Sequence, residues 1–77
     1  MPQEQITEPY TEKFAYNGSG QTIYRGWARP GIPTSVTNWR IAFYEYDGSG
    51  LQTSITWASG SKNFDYEWDE RASYSYS

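Results

Sequence analysis

Hydrophobic and polar positions alternate along most of this chain, and glycine-rich clusters punctuate the alternation. Successive side chains on a strand point to opposite faces, so this pattern predicts β-structure. A short strand is expected at Lys13–Tyr16, closed by the turn cluster Asn17–Gly20. Gln21–Ala28 follows, with Ile23, Arg25 and Trp27 on one face and Tyr24, Gly26 and Ala28 on the other. Pro30, Gly31 and Pro33 interrupt regular pairing and make residues 29–38 a loop. Trp39–Asp47 carries the strongest strand pattern, with Trp39, Ile41 and Phe43 opposed to Arg40, Ala42, Tyr44 and Tyr46. Apolar character on both faces points to a central or doubly covered strand. Asp47–Gly50 turns the chain again. Leu51–Ala58 then alternates, with Leu51, Ile55 and Trp57 expected inward and Gln52, Ser54 and Thr56 outward.

A 30-residue echo links the two glycine clusters: Tyr16, Gly18, Ser19, Gly20, Trp27 and Ala28 recur as Tyr46, Gly48, Ser49, Gly50, Trp57 and Ala58. Two hairpins of matching design explain it, since hairpin chemistry selects the same residues twice. Beyond the loop at Ala58–Asn63, Phe64 and Trp68 stand four apart, with Asn63 as an N-cap and Asp65 and Glu67 in the first turn. One helical turn there would pin both rings on the sheet and let Arg71 pair with Glu67. "ASYSYS", Ala72 to Ser77, alternates as a closing strand, with Tyr74 and Tyr76 on one face.

The fold class expected is therefore all-β: a small antiparallel barrel or sandwich of about five strands, with one short helical turn before the C-terminal strand. Residues 1–12, polar, acidic and interrupted by Pro2 and Pro9, read as an extended N-terminal arm. Residues 13–77 form a single small β domain, with a core of Trp39, Ile41, Phe43, Ile55, Trp57, Phe64 and Trp68.

Composition shifts attention from chemistry to binding. With 77 residues and neither Cys nor His, the chain lacks disulfides, thiolates and the commonest zinc ligands. A core this small seldom supplies more than roughly 3–5 kcal/mol by itself, which favours self-association or docking on a larger body. The 8 Tyr, 4 Trp and 3 Phe, with Arg more frequent than Lys, match the residue types enriched at protein interfaces. A net charge of −3 with no basic stripe argues against nucleic acid. No apolar run is long enough to span a bilayer, and the first ten residues lack the basic and apolar regions of a secretory leader.

Catalysis is not expected. The absence of His and Cys excludes the usual triads, and "NGSG" and "DGSG" lack the Lys-Ser/Thr of a P-loop. Asp65, Glu67, Asp69 and Glu70 read as a solvated acidic face without EF-hand spacing, so no metal or cofactor is assigned. Two binding classes stay open. Sugar binding requires an aromatic row on an exposed strand face. Placing Trp27, Trp39 and Trp57 inward tilts the reading towards protein assembly, where aromatic residues act as anchors.

The stretches "IYRGWARPGIPTSVTNWRIAFYEYDGSG" and "TSITWASGSKNFDYEWDERASYSYS" resemble a set of small virion-associated proteins of tailed bacteriophages. These share an "IYxGxAxPG…TS…xWxI" segment and a "WAxGxxxFDxxWDxRAxxxYS" ending, matched in order between Ile23 and Ser77. Ile32-Pro33 departs from the pattern, where a small loop residue is expected. The resemblance implies a non-enzymatic virion structural protein, assembled in a bacterial cytoplasm. Its partners would be other phage structural proteins, either the major capsid protein or tail proteins, with the chain itself a homo-oligomer or multi-copy. Capsid decoration or cement is the first reading, a head–tail or tail adaptor attaching fibres the second. A carbohydrate-binding module displayed on the virion is the alternative of another class. Candidate interface residues are Tyr10, Tyr24, Arg29, Tyr44, Tyr46, Arg71, Tyr74 and Tyr76. A chain ending after Ala72 is expected to fail to enter particles.

Overall fold

The computed structural model describes residues 9–77. Four strands, β1 (Thr11–Tyr16), β2 (Thr22–Ala28), β3 (Arg40–Tyr46) and β4 (Gln52–Trp57), form one open antiparallel sheet in sequence order. The chain is mostly β, as the alternation predicts. Thr11 and Glu12, assigned to the arm, already belong to β1; the rest of that arm lies mainly outside the described residues.

The echo is realised as two turns of the same construction. Asn17 Oδ1 accepts hydrogen bonds from the backbone N–H of Ser19 and Gln21 at 2.8 and 3.0 Å. Asp47 Oδ1 accepts from Ser49 and Leu51 at 2.9 and 3.0 Å. A short polar side chain that bonds its own backbone two residues on replaces ladder bonds the turn forgoes. Gly20 and Gly50 close the turns at φ of 83° and 85°, where a side chain would be strained. The register slips beside each turn, at Ala15/Tyr16 and Glu45/Tyr46, as an added residue in a hairpin requires. Gln21 Nε2 donates to Gly50 O at 3.3 Å, so the two turns sit side by side at one end of the sheet.

Where a full closing strand is expected, the C-terminal segment forms a cover that ends in a short antiparallel pairing. Residues 58–77 cross one face of the sheet and attach at two bridges, Trp39 with Tyr66 and Ala58 with Tyr76. Around the second, Trp57 and Ser77 exchange backbone hydrogen bonds at 3.1 Å and the Ser59 N–H donates to Ser75 O at 2.6 Å. A 3-10 helix, Trp68–Ser73, lies between these bridges. It starts later than the helical turn expected from Asn63, and Glu67, not Asn63, precedes it without a side-chain cap. Arg71 does not pair with Glu67; its Nη1 donates to Trp68 O at 3.1 Å and its guanidinium lies 4.7 Å from the Trp68 ring centroid. Phe64 and Trp68 go to different faces: Trp68 is buried in the core, whereas Phe64 stacks on Tyr10 at 5.4 Å.

The buried cluster is Ala28, Trp39, Ile41, Ala58 and Trp68, with Tyr24, Tyr66, Tyr74 and Tyr76 packed against it. Trp39, Ile41 and Trp68 are core residues as expected. Ile55 is 44% exposed, and Phe43 and Trp57 are only half-buried. The face of β2 turned inward carries Tyr24, Gly26 and Ala28, not Trp27, because Trp68 arrives from the cover and needs the space above Gly26. In β4, Thr56 stands opposite Phe43 on the covered side, and Ile55 and Trp57 point the other way. Burial here follows what packs on the sheet and not which strand face is larger or more apolar.

Candidate functional site

Residues directly opposite one another in an antiparallel ladder share a face. The register therefore places Phe14, Arg25, Ala42 and Trp57 in one row across all four strands. Glu12, Trp27 and Arg40 form the neighbouring row, and Tyr44 with Ile55 a third. These rows make up the sheet face opposite the cover. Among the described residues no strand or helix lies over it; Phe64 alone reaches in from the C-terminal segment at the Arg40 corner.

Two arginines organise this face by stacking among its rings. The Arg25 guanidinium carbon sits 4.7 Å from the Trp27 centroid and 5.4 Å from that of Phe14. Arg40 stands 5.2 Å from Trp27, 5.1 Å from Trp57 and 5.5 Å from Phe64. The two indoles approach to 5.7 Å with their planes 30° apart. A flat cation over an aromatic ring is attracted by the ring's negative face, and arginine is weakly hydrated enough to settle there. Aromatic and guanidinium groups therefore alternate across the sheet, leaving Phe14 and Ile55 each 44% exposed beside them.

The two cations differ in what neutralises them. Arg25 donates to Glu12 Oε1 from Nε at 3.1 Å and from Nη2 at 2.7 Å. Hydrogen bonding to Tyr44 and then to Glu12 raises its pKa above the ordinary arginine value. Arg40 has no carboxylate partner among the described residues, and its buried Nε has no hydrogen-bond acceptor.

The candidate interface residues named from sequence fall into separate places. Tyr44 lies on the open face opposite Ile55. Tyr46 donates its hydroxyl hydrogen to Thr22 O at 2.6 Å and is tied into the sheet. Tyr10 and Arg29 line a cleft of about 280 Å³ with Ile32, Asn38 and Phe64, at the end away from the glycine turns. Tyr24, Arg71, Tyr74 and Tyr76 belong to the covered side. Tyr76 packs on Phe43 at 5.4 Å and Tyr24 at 5.7 Å and donates to Arg71 O at 2.7 Å. Tyr74 lies edge-on to Tyr66 and its hydroxyl oxygen accepts from the Glu67 N–H at 2.8 Å. Burial, followed by the neighbouring Tyr24 and Tyr74, pushes the Tyr76 pKa well above the ordinary tyrosine value.

The open-face group of Phe14, Arg25, Trp27, Arg40, Ile55 and Trp57 escaped the sequence reading. Its signal was present in the parity of Arg25 with Trp27, since a strand face with a charged residue is a poor choice for a dry core. No known protein family, curated protein or solved structure matches this chain.

Proposed function

We propose that this chain is a non-enzymatic structural component of a bacteriophage virion that docks on other virion proteins through its open sheet face. The observation that carries the docking reading is the alternation of Trp27, Trp57, Arg25 and Arg40 on a face with exposed Phe14 and Ile55. Tryptophan and arginine dominate binding hot spots, and a covered face of this kind excludes water around them. The resemblance of Ile23–Ser77 to small virion-associated phage proteins supplies the setting. Within it, capsid decoration or cement comes first and a head–tail or tail adaptor second, with assembly in the host cytoplasm and many copies per particle.

A carbohydrate-binding role has one observation in its favour: Trp27 and Trp57 are neighbours on the open face, as a stacking platform requires. Against it, guanidinium groups already lie over both rings, where a sugar would stack.

Copy number on purified particles, measured by quantitative mass spectrometry against the portal protein, tests the proposal. Hundreds of copies support decoration of the shell. Roughly six to a few dozen support a ring or tail attachment, as cyclic symmetry at a vertex demands. Absence from particles removes the virion reading and puts glycan binding first.

A further inference from the structure

Arg40 is a cation on an open, aromatic face, with no anion beside it among the described residues. Three rings surround it at 5.1–5.5 Å, and its Nε is buried without an acceptor. The neighbouring Arg25 shows what the same environment does when complete, with Glu12 bound at 2.7 Å. A guanidinium held among three rings keeps its planar fork pre-organised, so a carboxylate meets it at little cost in side-chain order.

Resting on the docking reading above, we propose that Arg40 receives a carboxylate from a protein partner, and that the open face binds a segment in which an Asp or Glu stands next to apolar side chains. The acid would pair with Arg40 while its apolar neighbours cover Ile55 and Trp57. Charge complementarity selects this occupant: the face offers an unneutralised cation within an apolar surround. A nucleic-acid strand fits less well. Lys13 pairs with Gly26 on the covered side, so the face carries no lysine, and the chain as a whole is acidic. A second copy of the chain would have to present one of its own exposed acids, among them Glu45, Asp47, Asp69 and Glu70. Asp69 and Glu70 lie on the 3-10 helix of the cover and Glu45 shares the covered-side parity of Phe43, so their use would give a head-to-tail array.

Selection of a random dodecamer peptide library on the immobilised full chain, in parallel with Arg40→Gln, tests the assignment. The expected result is enrichment of Asp or Glu beside aromatic or aliphatic residues. A selected peptide should bind Arg40→Gln at least about ten-fold more weakly, the loss expected for a charge-assisted hydrogen bond. Replacing the peptide's acid by its amide should cost wild-type binding a similar factor, a readout that does not depend on the variant folding. Arg40→Lys should fall between, because lysine keeps the charge and loses the fork. The proposal is overturned if selection yields no acidic enrichment, or if the amide peptide binds as well as the acid. Tighter, Arg40-dependent binding of oligothymidylate would also overturn it, as would concentration-dependent self-assembly abolished by Arg40→Gln. None of these outcomes depends on copy number in particles, so the peptide result and the virion reading can fail separately.

Discussion

Trp68 seats its indole directly over Gly26: a Cβ at position 26 would lie 2.5 Å from Cε3 and 2.8 Å from Cζ3 of that ring. Trp39 Cε3 stands 3.2 Å from the same point, so neither indole can retreat freely. Gly26→Ala should therefore destabilise the chain by about 1–3 kcal/mol, the range for inserting a methyl into a packed core. Gly18→Ala is the control, because nothing lies within 4 Å of its Cβ position. Urea unfolding of both variants checks the pair, and equal midpoints would remove the notch from the account of the fold.

The Gly26 notch also explains how far the sequence could be read. Strand positions, turns and the hairpin echo are local, and alternation with Asn, Asp and Gly at fixed offsets exposes them. Which face becomes the core is decided by what arrives from elsewhere in the chain. A glycine and an alanine on β2 look like the weaker face until Trp68 fills the space above them. Trp39 and Ile41 were legible as core because they share a strand face, whereas Trp27 and Trp57, equally apolar, lie beneath stacked arginines on the open side. The closing strand is legible only in part, for the same reason. Tyr74 and Tyr76 do alternate with serines, and Ser75 and Ser77 pair with Ser59 and Trp57 through backbone hydrogen bonds, but the pairing stops at one bridge and hydroxyl bonds and ring packing hold the rest.

The two glycine turns can be interchanged at their first residue. Asn17 and Asp47 each accept two backbone N–H bonds through Oδ1. Asp47→Asn should leave stability within about 0.5 kcal/mol, because the accepting oxygen is retained. Asp47→Ala loses both bonds and should cost about 1 kcal/mol. Thermal unfolding of the two variants provides the measurement, and an alanine variant as stable as wild type would show that the backbone bonds alone hold the turn.

Tyr76 gives the fold a dependence on alkaline pH. Its pKa is raised in the folded chain, mainly by burial, so the unfolded chain releases the proton more readily. The resulting stability is fully present below the ordinary tyrosine value of about 10 and is lost as pH rises through and beyond it. Tyr76→Phe should cost about 1 kcal/mol at neutral pH through loss of the bond to Arg71 O, and should flatten the alkaline decline. Denaturant midpoints at neutral pH and above pH 10 check both parts. A wild-type midpoint unchanged in alkali would contradict the burial argument.

A chain ending after Ala72 loses Tyr74 and Tyr76 together. Two half-buried rings and the backbone bonds of Ser75 and Ser77 to Ser59 and Trp57 go together, a loss comparable to the roughly 3–5 kcal/mol that a domain of this size holds in total. The truncated chain should be unfolded by circular dichroism. Its failure to enter particles would then report loss of the fold and would say nothing about an interface at the C-terminus.

Separating fold from docking requires substitutions on opposite faces. Trp39 is fully buried and its Nε1 donates to Pro33 O at 2.9 Å, so Trp39→Ala should cost about 3–5 kcal/mol. Ile55 is 44% exposed on the open face, and Ile55→Thr keeps a β-branched side chain there. That change should cost less than about 1 kcal/mol. If the open face docks on virion proteins, Ile55→Thr should lower copy number in particles while the purified chain unfolds at nearly the wild-type urea midpoint. An unchanged copy number would move the contact elsewhere, to the cleft lined by Tyr10, Arg29 and Phe64 as the next surface to substitute. A midpoint that falls as far as that of Trp39→Ala would mean the open face is part of the stabilising core and not a surface held ready for a partner.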